Sequence, residues 1–187
     1  MAGNPIDLTL EEALFKRLKT DPEAVTEVYE RYANALYAFL LKRCRQKEIA
    51  EDLVAQCFVK LLESAPNLEW KGVSIGAWLY RVATNALADH WRSAHTRKSQ
   101  PLDTDTWDPP SADDPVWNTQ INMEGERIQK AMDTLSERDQ QVLTLRFYGG
   151  YETEEVAKTL DVSNNHAAVL TYRALGRMRK NLISTDL

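Results

Sequence analysis

The chain has 187 residues, 43% hydrophobic and 27% charged, a balance that fits a globular protein and argues against disorder or a fibre. Its net charge of −5 excludes a simple polybasic nucleic-acid coat but not local basic surfaces. Seven Gly and seven Pro are few for this length, which implies a chain spent mostly in helices.

No apolar run reaches the length of a membrane span, and Met1–Asp7 lacks a basic stretch followed by an apolar one. Neither secretion nor a membrane span is therefore expected, and a cytoplasmic location is. Cys44 and Cys57 sit in no CxxC or Cys/His cluster, so they read as small buried hydrophobes, with no metal site, cofactor or disulfide expected.

Helical periodicity dominates from about Leu8 to Ala94. Val25–Leu41 reads as an amphipathic helix whose inward positions are Val28, Tyr32, Leu36, Phe39 and Leu40. A second helix starts near Gln46 and gathers Ala50, Leu53, Val54, Cys57, Phe58 and Leu61 on one face. Its opposite stripe is Asp52, Gln56, Val59 and Glu63.

A third helix is expected from Ile75 to about Arg92, with Leu79, Val82, Ala83, Ala86 and His90 inward. It carries two further stripes, Arg81–Asn85–Ala88–Arg92 and, beside it, Tyr80–Thr84–Leu87–Trp91. The first is one that water alone would also accept. Cations for phosphate, an amide for a base edge and rings for stacking together suit single-stranded nucleic acid.

Thr96 to Asn118 holds four prolines and five aspartates, which can build neither a regular element nor a core. A second helical block begins at about Met123. Ser136 and Asp139 fit the cap and third positions of a helix that Gly149-Gly150 ends. Thr153 is expected to cap a short helix, Glu154 to Leu160. After the tight Asp161-Val162-Ser163 connection, Ser163 suits the cap of a last helix from Asn164 to about Lys180. Two helices so joined form a helix-turn-helix.

The last helix has Ala167, Leu170, Thr171, Ala174 and Met178 on one side, and Asn165, Ala168, Val169, Tyr172, Arg173, Gly176 and Arg179 on the other. Val169 and Tyr172 are unusual on a face meant for water. A major-groove recognition helix accounts for them, with apolar contact to thymine methyls and Arg173 on phosphate or guanine. Packing against another helix or a partner protein accounts for them too.

With these elements in order, the sequence resembles the bacterial RNA polymerase sigma-70 family, extracytoplasmic-function (group IV) branch. The stretch Ala50–Phe58 is similar to the family's region 2.2, and Ala77–Asn85 with Asp89 and Arg92 to region 2.3–2.4. Leu135 to Leu182 is similar to region 4, through Leu143–Tyr148, Glu155-Val156-Ala157 and Tyr172-Arg173-Ala174-Leu175.

The resemblance implies an all-α protein of two small helical domains: 1–96 like region 2, an extended acidic linker at 97–122, and 123–187 like region 4. It implies docking of Asp52, Gln56 and Val59 on the β′ clamp helices of core RNA polymerase. It also implies a −10 element opened and read by Arg81, Asn85, Arg92, Tyr80, Trp91 and Trp70. Asn85 holds the family's base-contacting position, and the loop Trp70–Gly76 helps form a flipped-base pocket. On the −35 duplex it implies Asn165, Ala168, Val169, Tyr172 and Arg173, with the β flap as a further contact and an anti-sigma factor as regulator.

Ala168-Val169-Leu170 replaces a more polar, basic run of the family, which implies greater reliance on DNA shape. Asp161 stands where a turn Gly is usual. Two other readings remain: a sigma-mimicking protein that titrates an anti-sigma factor, and a stand-alone helix-turn-helix regulator. No enzyme is expected, because His90, His95 and His166 have no partner at motif spacing and the adjacent Glu51 and Asp52 point apart. The polar linker implies little preference between packed and separated domains.

Overall fold

The computed structural model describes residues 8–98 and 119–184, and these are helical with no strand among them. Most of the expected linker at 97–122 lies outside the described residues. Those of its residues that are described, at its two edges, continue helices.

Helix α1 is Leu8–Arg17 and α2 is Pro22–Cys44. Pro22 does not break α2 but starts it: Asp21 accepts the Glu23 amide at 2.9 Å, and proline fits the first turn, where its missing N–H has no role. Helix α3, Lys47–Ser64, buries all six of the expected inward residues and exposes Asp52, Gln56, Val59 and Glu63. Burial pushes the Cys57 thiol up to about 12, as befits an inert hydrophobe.

A short 3-10 turn, Ala65–Asn67, and a loop lead to α4, Ile75–Lys98. Ser74 accepts the Ala77 amide at 3.1 Å and so caps α4. Gly76 is there because space demands it. A Cβ would stand 2.5 Å from both Tyr32 Cε1 and Tyr151 Oη.

In the second block, α5 is Thr119–Asp133 and α6 is Glu137–Leu143, capped by Ser136 on the Asp139 amide as expected. Helix α6 widens into a π turn over Thr144–Tyr148, where the Gly149 amide reaches back to the Thr144 carbonyl at 2.9 Å. Helix α7, Thr153–Leu160, is capped by Glu152 in a reciprocal box with Glu155, not by Thr153. The carboxylate pair satisfies two orphan amides where one hydroxyl satisfies one. Asp161 then adopts φ 56°, the left-handed turn that the family's usual glycine would take more readily. Ser163 caps α8, Asn164–Ser184, on the His166 amide at 3.2 Å.

The two blocks pack together over one continuous core. Tyr151, 2% exposed, enters beside Gly76, its ring 6.4 Å from that of Tyr80 and edge-on to it. Tyr148 lies edge-on to Phe39 at 5.1 Å. Arg43 of α2, with a side chain 1% exposed, donates to Asp133 at 3.1 Å and Gln140 at 2.9 Å. Its Nε and Nη1, with Trp91 Nε1 and Thr144 Oγ1, are buried without a hydrogen-bond partner. Burial holds the Arg43 guanidinium below its ordinary value despite the Asp133 carboxylate. A boundary that leaves buried polar atoms unsatisfied is weaker than its apolar area alone implies.

Candidate nucleic-acid interface

Helix α4 is covered on more sides than its periodicity implies. Tyr80, Thr84 and Leu87, expected on an exposed aromatic stripe, are 8%, 1% and 1% exposed. Tyr80 packs on Phe39 at 5.5 Å, and Trp91 is half-buried against the core. Val82 and Ala86, expected to be fully inward, are instead partly exposed along a groove shared with α3. His90 is likewise only half-buried. Tyr80 is enclosed from both blocks, by Phe39 of α2 and by Tyr151.

The polar stripe of α4 sits on that boundary. Arg81 Nη1 donates to the Thr159 carbonyl of α7 at 3.0 Å. Burial, and then the neighbouring Arg138, hold the Arg81 guanidinium below its usual value. Gln141 Nε2 donates to Asn85 Oδ1 at 2.5 Å. Arg92 pairs with Asp89 and lies 3.9 Å from Glu137. Three candidate residues for single-stranded DNA are thus engaged by the helix-turn-helix block. Gln141 and Thr159 carried no sequence signal for this, because contacts between blocks leave no periodicity.

Trp70 lies elsewhere. It lines a cavity of about 350 Å³ with Phe15, Trp78, Arg81 and Lys158, between α1, the loop before α4, and α7. Trp70 and Phe15 are in ring contact at 5.3 Å. Gly72 in this loop takes φ 66°, a conformation few other residues adopt.

Asp52, Gln56 and Val59 line one groove with Val82, Asn85 and Ala86. The residues considered for polymerase and the base-contacting candidate therefore share a surface between α3 and α4. Val59 is 53% exposed there.

On α8, Ala167 and Ala174 are buried while Asn165, Ala168, Val169, Tyr172 and Arg173 are all exposed. Tyr172 is 80% exposed. This candidate recognition face is uncovered in the same arrangement that engages Asn85.

Glu11 was missed in the sequence. It is 2% exposed, yet it sits three and seven residues before Leu14 and Leu18 on the apolar side of α1. A carboxylate in that register was the available signal.

No described helix is long and apolar enough to cross a membrane. Family models for Sigma-70 region 2 and Sigma-70 region 4 match residues 28–97 and 131–180. The chain is 27% identical over 166 residues to the ECF RNA polymerase sigma factor BldN of Streptomyces coelicolor, spanning 87% of this chain and 61% of that one. It is 27% identical over 159 residues to the ECF RNA polymerase sigma factor SigX of Bacillus subtilis, spanning 83% and 81%. The fold is that of CnrH, solved in complex with the cytosolic domain of CnrY (TM-score 0.64, 17% identity, 95% and 99% of the two chains). It is also that of the sigma factor RpoE, solved with the anti-sigma factor NepR from Bartonella quintana (TM-score 0.55, 20% identity, 87% and 98%). Two region models in the order of the helical blocks, and ECF sigma factors as relatives, make this chain a member of the sigma-70 family, in its extracytoplasmic-function branch.

Proposed function

We propose that this chain is a promoter-specificity subunit: it binds core RNA polymerase, reads a −35 duplex through α8, and melts and reads a −10 element through α4 and the loop before it. It performs no covalent chemistry. An anti-sigma factor holds it inactive, as the named partner of RpoE suggests. The observation that carries the reading is α8, whose Val169 and Tyr172 stay exposed among Asn165 and Arg173 although the opposite face is packed.

The three surfaces differ in access, and that orders the events. The candidate docking residues Asp52, Gln56 and Val59 and the α8 face are exposed, whereas Arg81 and Asn85 are engaged by α6 and α7. Polymerase docking therefore comes first, the blocks separate, and the −10 face becomes available. Tyr80 and Trp91 take part in stacking only after that separation. Family membership argues against a stand-alone regulator.

Run-off transcription over a promoter library, with core polymerase alone and with this chain, tests the reading. Transcripts that start at a shared −35/−10 pair only in its presence are expected. Core binding without any transcript favours the mimic, and duplex binding without core binding favours the stand-alone regulator.

Two variants resolve the surfaces. Asp52→Ala with Gln56→Ala is expected to weaken core association by roughly tenfold, the scale of losing one good interface anchor. Unchanged affinity in a titration against core polymerase rejects that docking face. Arg173→Ala is expected to lower binding to −35 duplex and reduce the salt slope by about one unit. A slope equal to wild type assigns Arg173 to a protein contact instead.

A further inference from the structure

Helix α1 lies outside the region 2 match at residues 28–97. Its Glu11 is an unusual residue: a carboxylate 2% exposed in the core of the first block. Removing a carboxylate from water is unfavourable unless its oxygens are well supplied with donors. Glu11 has three. Oε1 accepts from Arg31 Nη1 at 2.9 Å and from Tyr32 Oη at 2.7 Å, and Oε2 accepts the Ile75 amide at 2.9 Å.

The third bond is the informative one. Ile75 is the first residue of α4, where the loop that carries Trp70 becomes helix. The leading amides of a helix have no partner within it, and they favour negative charge. Ser74 satisfies the Ala77 amide from within the segment, and Glu11 satisfies Ile75 from another helix, 64 residues away. The same carboxylate fixes Tyr32, whose ring edge lies against Gly76, and one turn further along α1 Phe15 meets the Trp70 ring. Glu11 thus ties α1, α2 and the start of α4 together beside the cavity lined by Phe15, Trp70, Trp78 and Arg81.

We propose that Glu11 is a positioning residue for base capture: it holds the loop before α4 and the first turn of that helix, so that the first-block wall of the cavity, Trp70, Ile75 and Trp78, stays formed after α7 has moved away and before a −10 base leaves the stack. This rests on the sigma-factor reading above. A formed cavity matters because unstacking a base is itself unfavourable, and a wall that must order at the same moment adds to the barrier.

The test uses three variants of the full chain. Glu11→Leu fills the space but accepts nothing. Glu11→Asp keeps the charge near Arg31 but is one methylene short of Ile75. Glu11→Gln keeps an acceptor oxygen at full length. Base capture is read on holoenzyme with 2-aminopurine placed in the −10 element, core affinity by titration, and loop order by hydrogen exchange of the free protein.

The Asp variant, which loses the Ile75 bond, is expected to lose capture by about tenfold, and the Leu variant, which loses all three bonds, by at least that, with the Gln variant within about threefold of wild type. Core affinity is expected to hold. Exchange should quicken over residues 68–79 and stay slow in α3. Should Glu11→Leu fail to fold, Glu11→Asp carries the comparison.

Wild-type capture in both the Leu and Asp variants overturns the proposal. So does a joint fall of capture and core affinity in all three, which marks Glu11 as scaffold only. If wild type captures no base on any promoter, the sigma-factor reading has failed on its own, and exchange decides: quickening over 68–79 upholds the positioning role, and no change overturns it.

Discussion

Asp133→Lys is expected to part the two helical blocks while leaving each of them folded. Asp133 is the carboxylate opposite Arg43, whose side chain is 1% exposed and has two nitrogens without partners. A cation in place of that half-exposed carboxylate leaves a buried guanidinium with Gln140 as its remaining partner, a change of about 1–3 kcal/mol once solvent screening on the exposed side is counted. Opening the boundary relieves it, because Arg43 then meets water. Asp133 is 43% exposed at its side chain, so the new lysine is not forced into a core.

The closed-to-open ratio should shift by roughly 5- to 150-fold on this energy scale. Small-angle scattering should give a larger radius of gyration at unchanged helical circular dichroism. Base capture should rise at fixed core affinity if opening limits it. An unchanged radius of gyration shows that other contacts, Tyr151 at Gly76 foremost, hold the boundary without Arg43.

Asn85→Ala is expected to reduce open-complex formation by roughly 5- to 100-fold, the scale of one base-edge recognition pair. Core association should stay within twofold, because Asn85 borders the groove that holds Asp52 and Gln56 without being one of the docking residues proposed here. The substitution also removes the amide that meets Gln141, which favours the open form slightly. A deficit in melting seen despite easier opening is therefore specific to base reading. Permanganate reactivity of −10 thymines separates the steps, and equal losses of melting and core affinity would sink the assigned role.

Asn85 and Tyr80 show how far a sequence carries. Both were placed on α4 by periodicity alone, and α4 begins where expected, at Ile75. Their surroundings were not legible. Tyr80 reads as an exposed ring if α4 belongs to an isolated domain, and it is 8% exposed because Phe39 and Tyr151 enclose it from both blocks. In the second block, the Ser136 cap and the Ser163 cap were both legible, since capping depends on side chains within three residues of the amide they serve. Glu152 displaced Thr153 as a cap only because Glu155 answers it, a reciprocity that either residue alone does not announce.

The sequence by itself determined most of the helices, the Ser136 and Ser163 caps, the faces of α3 and α8, the helix-turn-helix, and the family through motifs in order. These are local properties, set by a 3.6-residue period and by hydrogen bonds a few residues long. Only the tertiary structure decided that the blocks close on each other, that Arg81 and Asn85 face Thr159 and Gln141, and that Glu11 reaches Ile75. Those contacts join residues 56 to 78 positions apart, where no periodicity connects the partners and only packing brings them within hydrogen-bond distance.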